Sequence, residues 1–354
     1  MLHRGKLYHC VMLATLPAGL VFPHCEPPEP GRAVEVAPGV LWLRFLLPFL
    51  LNHVNVYLVE DDGGWAAFDT GLGDDATRAA WEVALAGPLR GRCLTRVICS
   101  HYHPDHVGLA GWLTERFGCP LWMPRTELLM TRMLEGHAAV SRSEFYAEHG
   151  LTPDAGARVA GEGHGYLRMI TGLPKQFSRM RAGAAMRIGG RDFDIFTGGG
   201  HAPEQGMLYC RDGNFFLSAD QVLARISPNI SVYAMEPDAD ELGAFLTSLA
   251  ELARSLPGDV LVLPGHNLPF IGLHTRIGEL VQHHADRCAL IADAARGGPR
   301  TAAELLPVLF KRQMDSHQTG FAFGETLAHM NYMRARGELL QERCADGILR
   351  VRTT

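Results

Sequence analysis

Short apolar runs, each bounded by glycine, proline or aspartate, dominate the first third of the chain after a proline-rich start. Such runs are typical of β-strands. The predicted strands are residues 34–36, 41–45, 54–58 and 65–68. Residues 74–85 have helical spacing, and the apolar run 96–99 then ends directly before Ser100 and His101. We therefore expect the first histidines just beyond a strand end, where sheets covered by helices usually carry chemistry.

Helical spacing dominates the middle of the chain, and a second strand-rich region follows it. The helical patterns cover residues 109–117, 126–134 and 141–149 and a stretch near Leu167. The later region predicts strands at residues 191–196, 207–210, 215–217 and 260–263, with a helix at 239–254. Two halves, each built of strands and helices, follow one another, and this order predicts an α/β fold.

The pattern changes again after Pro299. Helices are predicted at residues 301–311 and 324–336, and residues 337–351 resemble a small β wing. The basic and acidic side chains of this segment nearly balance, eight to six, which is not the footprint of a nucleic-acid-binding surface. We interpret the segment as a winged-helix-like module whose role is packing or dimerisation, in preference to nucleic-acid binding.

The sequence divides into three predicted parts. Residues 1–30 form a flexible N-terminal tail with four prolines near its end, residues 31–297 a catalytic domain, and residues 298–354 the C-terminal module. A helical insertion at about residues 123–187 enlarges the catalytic domain.

Composition narrows the class of protein. The 354 residues are 47% hydrophobic and 20% charged, as in ordinary globular enzymes, and the net charge of −5 gives no bulk attraction to nucleic acid. The eight cysteines form no CxxC pair, which indicates reduced thiols and a cytoplasmic protein. Arg44 and Pro48 interrupt the apolar stretch 40–54, and Pro17 interrupts the weakly signal-like start, so we expect neither membrane insertion nor secretion.

The segment 100–106 carries the strongest chemical signal. It places three imidazoles and one carboxylate, His101, His103, Asp105 and His106, within six positions. Nitrogen and oxygen donors of this kind are selected by zinc and similar divalent ions. A purely structural role would leave several polar groups in one loop in need of partners. The segment therefore predicts a metal site.

This segment resembles the HxHxDH signature of the metallo-β-lactamase superfamily, and the family's other motifs follow in order. Residues 198–203 resemble its Gly-His-x-Pro element, residues 217–220 its strand-end aspartate, residues 263–266 its final Pro-Gly-His, and residues 68–71 its early Asp-x-Gly. The resemblance covers residues 33–267. It implies an αββα sandwich of two mixed β-sheets flanked by helices.

The resemblance also implies the ligands of two divalent metal ions. One ion is held by His101, His103 and His201, the other by Asp105, His106 and His266, and Asp220 bridges them. Two ions about 3.5 to 4 Å apart share a hydroxide that acts as the nucleophile, and one of them polarises the substrate oxygen. Zinc is the expected metal, with iron and manganese as alternatives.

Two further carboxylates have roles under this resemblance. Asp105 is the candidate catalytic residue for proton transfer. Asp69 either orients a ligand histidine from behind or caps a turn, and the sequence leaves both interpretations open.

Departures from known branches of the superfamily narrow the reaction. Flavodiiron-type oxidoreductases carry glutamate where this chain has His103, which favours hydrolysis. True β-lactamases of the superfamily generally lack the bridging aspartate, so Asp220 argues against antibiotic hydrolysis. Lactonases typically have tyrosine three residues after that aspartate, and Leu223 at this position weakens the lactonase alternative.

We predict a hydrolase, similar to glyoxalase II, in which the metal-bridging hydroxide attacks an ester or thioester carbonyl of a small, partly apolar substrate. The alternative is an endoribonuclease or phosphodiesterase that uses the C-terminal module for nucleic acid. A basic cluster keeps that alternative open; it comprises Arg168, Lys175, Arg179, Arg181 and Arg187. A third alternative, a catalytically inactive scaffold protein, is disfavoured because the sequence has a suitable residue at every ligand position. The sequence is also compatible with a homo-oligomer.

The insertion has two interpretations. Its aromatic and apolar residues form either a lid over the site or a buried helical layer; they include Phe145, Tyr146, Tyr166 and Leu167. Isolated histidines are interpreted as structural, although His53 is also a candidate for the pocket mouth. The others are His137, His149, His164, His283 and His284.

Overall fold

A computed structural model describes residues 19–135 and 142–354 of the chain. The first sheet of this described part has seven strands in chain order. They are β1 (Val34–Ala37), β2 (Val40–Leu46), β3 (His53–Asp61), β4 (Gly64–Phe68), β5 (Cys93–Ile98), β6 (Leu121–Pro124) and β7 (Ser178–Met180). Neighbours from β1 to β4 are antiparallel, and those from β4 to β7 are parallel.

The second sheet within the described residues has six strands. They are β8 (Ala185–Ile188), β9 (Arg191–Gly198), β10 (Gln205–Cys210), β11 (Phe215–Ala219), β12 (Leu261–Pro264) and β13 (Phe270–Ile271). They lie in the order β13-β12-β11-β10-β9-β8, and all pairs are antiparallel except β11 with β12.

Helices cover the outer faces of the sheets. Those before the second sheet are α1 (Asp75–Ala86), α2 (Pro104–Val107), α3 (Ala110–Phe117), α4 (Arg125–Glu135), α5 (Arg142–Glu148), α6 (Pro153–Glu162) and a 3-10 helix (Gly163–Met169). The later ones are α7 (Glu241–Ser255), α8 (Leu273–Arg296), α9 (Ala302–Leu309) and α10 (Ser316–Ala335). A hairpin of β14 (Leu339–Arg343) and β15 (Leu349–Thr353) follows. The predicted αββα sandwich with a helical C-terminal segment is confirmed.

The inner strands β3, β4, β10 and β11 are buried on both faces because helices cover one side of each sheet and the other sheet covers the opposite side. In β3, Val56 and Leu58 point to the helices, whereas Tyr57 and Val59 point to the second sheet. The layer between the sheets also contains Phe193 and Phe215 of the second sheet. Because each of these strands is buried on two sides, a one-residue slip would move every side chain to the wrong layer.

The longest helix, α8, was missed by the sequence pattern. Its buried face contains Arg276, His284 and Cys288 beside aliphatic residues, so the apolar periodicity that identifies an amphipathic helix is interrupted. Helix α10 begins at Ser316, earlier than the predicted residue 324, because Asp315 caps it through a hydrogen bond from the Gln318 backbone.

The C-terminal helices share a hydrophobic core with the second sheet. Phe323, Leu327 and Met330 of α10 belong to the same buried cluster as Phe216 of β11 and Phe245 of α7. Most of α10 from residue 322 to 333 is buried. The C-terminal segment is therefore docked onto the sandwich, and the winged-helix comparison stays a prediction.

Part of the predicted N-terminal tail is attached to the second sheet. Residues 1–18 lie outside the described residues, but Val21 forms a two-hydrogen-bond antiparallel bridge with Ile271 of β13. Among the described residues every cysteine is a free thiol. In the same part of the chain, each helix is too short or too polar to cross a membrane.

Replacing Phe323 by alanine tests this docking. Phe323 is fully buried, so we expect the free energy of unfolding in urea to fall by about 3–5 kcal/mol. Phe321 in the same helix is 42% exposed, and Phe321→Ala should cost about 1 kcal/mol or less. Equal losses for the two variants would contradict a shared core.

Candidate metal centre

The seven side chains predicted as ligands follow strand ends at one edge of the sandwich, five on loops and two, Asp105 and His106, in the short helix α2. They are His101, His103, Asp105 and His106 after β5, His201 after β9, Asp220 after β11 and His266 after β12. Residues with positive φ, Asp69 (64°) and Ala219 (44°), turn the chain sharply at the ends of β4 and β11. The sheet edges therefore bring residues far apart in sequence into one site.

Three histidines form the first group. Nε2 of His101 is 2.9 Å from Nδ1 of His103, which is 3.1 Å from Nε2 of His201. These three nitrogens are close enough together to share one metal ion.

Two histidines and two aspartates form the second group. Nε2 of His266 lies 3.4 Å from Oδ2 of Asp105 and 3.2 Å from Oδ2 of Asp220. Nε2 of His106 lies 3.6 and 3.4 Å from the same two oxygens. Oδ2 of Asp220 is also 3.3 Å from Nε2 of His201, so Asp220 stands between the groups.

Backbone carbonyls determine which nitrogen of two histidines faces the site. Nδ1 of His201 is 2.8 Å from the carbonyl oxygen of Asn229, and Nδ1 of His266 is 2.6 Å from that of His53. Because a carbonyl oxygen only accepts hydrogen bonds, Nδ1 must carry the proton in each ring. In the neutral form, Nε2 therefore presents a lone pair to the site.

Asp69 and Ser100 orient the other two buried rings. Nδ1 of His106 donates to Oδ2 of Asp69 at 2.8 Å. The hydroxyl of Ser100 donates to the same carboxylate, so it accepts from Nδ1 of His101 at 2.9 Å. Of the two interpretations of Asp69, the structure supports orientation of a ligand histidine rather than a turn cap alone.

The donors fit divalent cations. Nitrogen atoms of five histidines and oxygen atoms of two carboxylates converge in one small space, and when the rings are neutral their lone pairs repel one another until a cation enters. Nε2 of His106 and Oδ1 of Asp220 are buried without a hydrogen-bond partner. Nitrogen and oxygen donors of this kind suit zinc, iron or manganese.

The electrostatics of the two groups differ. Burial lowers the pKa of His101 and His103 well below the ordinary value, and neighbouring imidazoles lower it further. Burial also opposes the charged forms of His106 and His266, but the carboxylates, first Asp220, outweigh it and raise both pKa values. The second group thus attracts positive charge, which a divalent ion supplies in place of a proton.

Glu127 of α4, which the sequence analysis did not single out, ties two of the loops together. Its buried carboxylate accepts hydrogen bonds from the backbone N–H groups of Tyr102 and Glu204. Burial raises its pKa to about 8, against the effect of both hydrogen bonds. The sequence signal that could have identified Glu127 is its position one and four residues before Leu128 and Thr131, which are buried in the same helix.

The Pro-Gly-His loop packs too tightly for any residue larger than glycine. A Cβ atom on Gly265 would lie 2.3 Å from Oδ1 of Asp220 and 2.9 Å from Cε1 of His106. The side-chain amide of Asn55 donates to the carbonyl oxygen of Pro264 at 2.9 Å. This loop therefore holds His266 directly against the other donors.

Of the two interpretations of the insertion, the contacts of Phe145 and Tyr146 support a buried helical layer. Phe145 is 8% exposed and lies in the core, and the ring of Tyr146 packs edge-on against Phe323 of α10, 5.6 Å away. Tyr146 thus contacts α10 directly, and Phe145 belongs to the same buried cluster as the apolar residues of α10. Tyr166 supports the first histidine loop, because its hydroxyl donates to the carbonyl of Tyr102 at 2.6 Å.

The remaining histidines behave as structural residues where they are described. Nε2 of His53 accepts from the backbone N–H of Asn267, and burial lowers the pKa of His53 to about 2. His284 and His329 share a buried hydrogen bond of 3.1 Å, and His149 bonds the carbonyl of Phe145. Residue 137 and the side chain of residue 164 lie outside the described structure.

The family model of the metallo-beta-lactamase superfamily matches residues 51–266, and that of the metallo-beta-lactamase-like C-terminal domain matches residues 288–354. The chain belongs to the metallo-beta-lactamase superfamily. Together with the His and Asp cluster, this membership supports a metal-dependent hydrolase.

Solved structures show the same fold. A beta-lactamase domain protein from Burkholderia ambifaria is 37% identical, covering 96% of this chain and 99% of that chain, with a TM-score of 0.88. A metallo-beta-lactamase family protein from Thermus thermophilus is 28% identical, covering 90% and 100%, with a TM-score of 0.76. The sec-alkylsulfatase Pisa1 from Pseudomonas sp. is 17% identical, covering 85% and 50%, with a TM-score of 0.53, and is similar in fold alone. A search of curated proteins gave no match.

The role of Asp69 is tested by Asp69→Asn. Three donors, the N–H and hydroxyl of Ser100 and Nδ1 of His106, share its two oxygens, and an amide offers only one. We expect metal affinity, measured by chelator competition, to fall about 10–100-fold.

Asp61→Asn is the matched control. Asp61 is a buried carboxylate in the same sheet, bound to Thr95 and Arg96 at the far end of β3, roughly 25 Å along the strand from His53. This variant should lose stability but keep its metal affinity. If Asp69→Asn binds metal with unchanged affinity, Asp69 does not orient the ligand histidines.

Proposed function

We propose that the protein is a dinuclear metal-dependent hydrolase that cleaves an ester or thioester bond in a small, partly apolar substrate. The observation that carries the proposal is the convergence of histidine nitrogens and carboxylate oxygens, with four of the five rings oriented by a hydrogen bond on the side away from the site. A rigid, preorganised set of donors is what metal-assisted hydrolysis requires.

The two ions are assigned to the two groups of donors. His101, His103 and His201 would hold the first ion, and Asp105, His106 and His266 would hold the second, with Asp220 between the two groups. When bound, two such ions activate water at neutral pH and polarise the oxygen of the substrate bond. Zinc is the proposed metal.

Asp105 is the proposed catalytic carboxylate. Its side chain is 19% exposed, whereas that of Asp220 is 7% exposed, so Asp105 is the more open of the two carboxylates. We assign to the carboxylate of Asp105 the transfer of a proton from the attacking water to the departing group.

An apolar rim beside the site suits a substrate with an apolar part. We define this rim as Leu46, Phe49, Leu50 and Phe321, which are 59%, 40%, 74% and 42% exposed. The first three lie at the β2–β3 connection, which leads directly into His53, and Phe49 stacks on His317 of α10 at 6.0 Å. The carbonyl of Phe321 accepts a hydrogen bond from Asn229, behind His201. We propose that these exposed apolar side chains, which lie next to residues that contact the ligand histidines, receive the apolar part of the substrate.

The nucleic-acid alternative has less support. Arg179 pairs with Glu204 and Arg187 with Asp192, so part of the basic cluster is already neutralised. Helix α10 is mostly buried, so it offers little surface to a nucleic-acid groove. The lactonase alternative is weakened because Leu223 is buried and brings no hydroxyl to the site.

Metal content and substrate class are tested together on purified protein. We expect about two equivalents of zinc, iron or manganese by elemental analysis, because the donors form two groups. Thioesters or esters should be hydrolysed, and a chelator should abolish this activity until metal is restored. Cleavage of a short RNA alone would favour the nuclease alternative, and less than one equivalent with no turnover of thioesters, esters, lactones or RNA would overturn the proposal.

The apolar rim is tested by Leu50→Ala. Because Leu50 is 74% exposed, the substitution should leave stability unchanged. We expect kcat/KM to fall about three- to tenfold for an octanoyl thioester and to stay constant for an acetyl thioester. Leu340→Ala, at a 43% exposed position in the C-terminal hairpin, is the control and should affect neither substrate. Equal losses for both acyl chains would exclude a role in substrate selection.

A further inference from the structure

We propose that Glu325, in helix α10 of the C-terminal segment, is a positioning residue for the metal centre. It holds Asn229, whose backbone carbonyl fixes the ring of His201. This inference rests on the proposed function and gives the C-terminal segment a role in building the site.

The segment that carries Asn229 has no regular secondary structure to hold it. Residues 220–240, between β11 and α7, contain only turns, bends and extended backbone. Within this segment, the Asn229 carbonyl oxygen accepts the hydrogen bond from Nδ1 of His201 at 2.8 Å. The orientation of His201 therefore depends on contacts that the segment makes with other elements.

Arg276 of α8 holds the start of the segment by donating to the carbonyls of Leu223 and Ile226. Helix α10 supplies the contacts at Asn229. The side-chain amide of Asn229 donates to Oε2 of Glu325 at 3.3 Å and to the carbonyl of Phe321 at 3.2 Å. Its oxygen accepts from the hydroxyl of Ser231 at 2.5 Å. The backbone of Val232 then donates to the carbonyl of residue 324 at 3.2 Å. All polar side-chain atoms of Asn229 are thus engaged, two of the three contacts being with α10.

Glu325 is an unusual residue for its place. It is 8% exposed in a helix whose buried length is largely apolar. Its nearest cation is Arg287, 3.7 Å away. Burial raises the pKa of its carboxyl group, opposed by Arg287 and Asn229. A buried carboxylate costs free energy unless it makes specific polar contacts, and the contact with Asn229 leads to the metal site.

A positioning role and a general packing role of Glu325 predict different effects on the two metal ions. Asn229 contacts His201, which belongs to the first group of donors, whereas the second group is oriented by Asp69 and the His53 carbonyl. Loss of the Glu325 contact should therefore weaken one ion selectively. A general loss of packing would weaken both ions together.

The experiment is titration of the metal-free full-length protein with Co²⁺, followed by the visible absorption of the cobalt centres and by chelator competition. Glu325→Leu fills the space but removes the acceptor, and we expect one of two cobalt equivalents to bind about 10–100-fold more weakly with an altered spectrum. Glu325→Gln retains an acceptor oxygen for Asn229 and should bind within about threefold of the wild type.

Asn331→Leu is the matched control in the same helix. The amide of Asn331 also ties α10 to the segment, through the carbonyls of Pro237 and Ala239, but without contact to Asn229. It should lower stability and leave both cobalt affinities unchanged. If Glu325→Leu does not fold, Asn229→Ala, at a half-buried position, replaces it and should show the same selective loss.

The inference would be overturned if Glu325→Leu or Asn229→Ala bound both cobalt equivalents with wild-type affinity. It would also be overturned if both equivalents were weakened equally and Asn331→Leu showed the same loss. If the wild-type protein itself takes up fewer than two equivalents, the proposed dinuclear function fails before any variant is compared. The two failures are thereby distinguished.

Discussion

The structure depends on holding several electron-rich atoms together in one buried space. Four histidine rings point Nε2 toward the site, and two aspartates add carboxylate oxygens. Such atoms repel one another, so only a rigid framework can hold them in place until cations enter. The sandwich meets this requirement because its inner strands are buried on both faces and their ends cannot shift independently.

The framework acts through acceptors placed behind the rings. Asp69 and Ser100 follow β4 and β5, the carbonyl of His53 belongs to the first residue of β3, and the carbonyl of Asn229 belongs to the segment between β11 and α7. Each acceptor fixes a tautomer as well as an angle, so the same contact sets the position and the chemistry of the ligand. Glu127 supports the ligands indirectly, because its carboxylate binds the backbone of the two loops that carry His101, His103 and His201.

The C-terminal helices are part of this framework. Helix α10 fills the outer face of the second sheet with Phe323 and Leu327, and it reaches the site through Phe321 and Glu325. The insertion packs onto the same helix through Tyr146. Segments that look like additions in the sequence therefore share one core with the two sheets, which explains why Phe145 and Phe323 are buried.

The sequence by itself determined the α/β class, most strands and the seven clustered residues, because motifs such as HxHxDH have a spacing and composition that no packed core requires. It did not determine α8, whose buried face contains Arg276 and His284, nor the start of α10. Only the tertiary structure decided what stands behind each ring. Two of those acceptors are backbone carbonyls, which every residue possesses, so no side-chain pattern could have revealed them. Asp69 was a candidate from the sequence, but only the tertiary structure decided between its two interpretations.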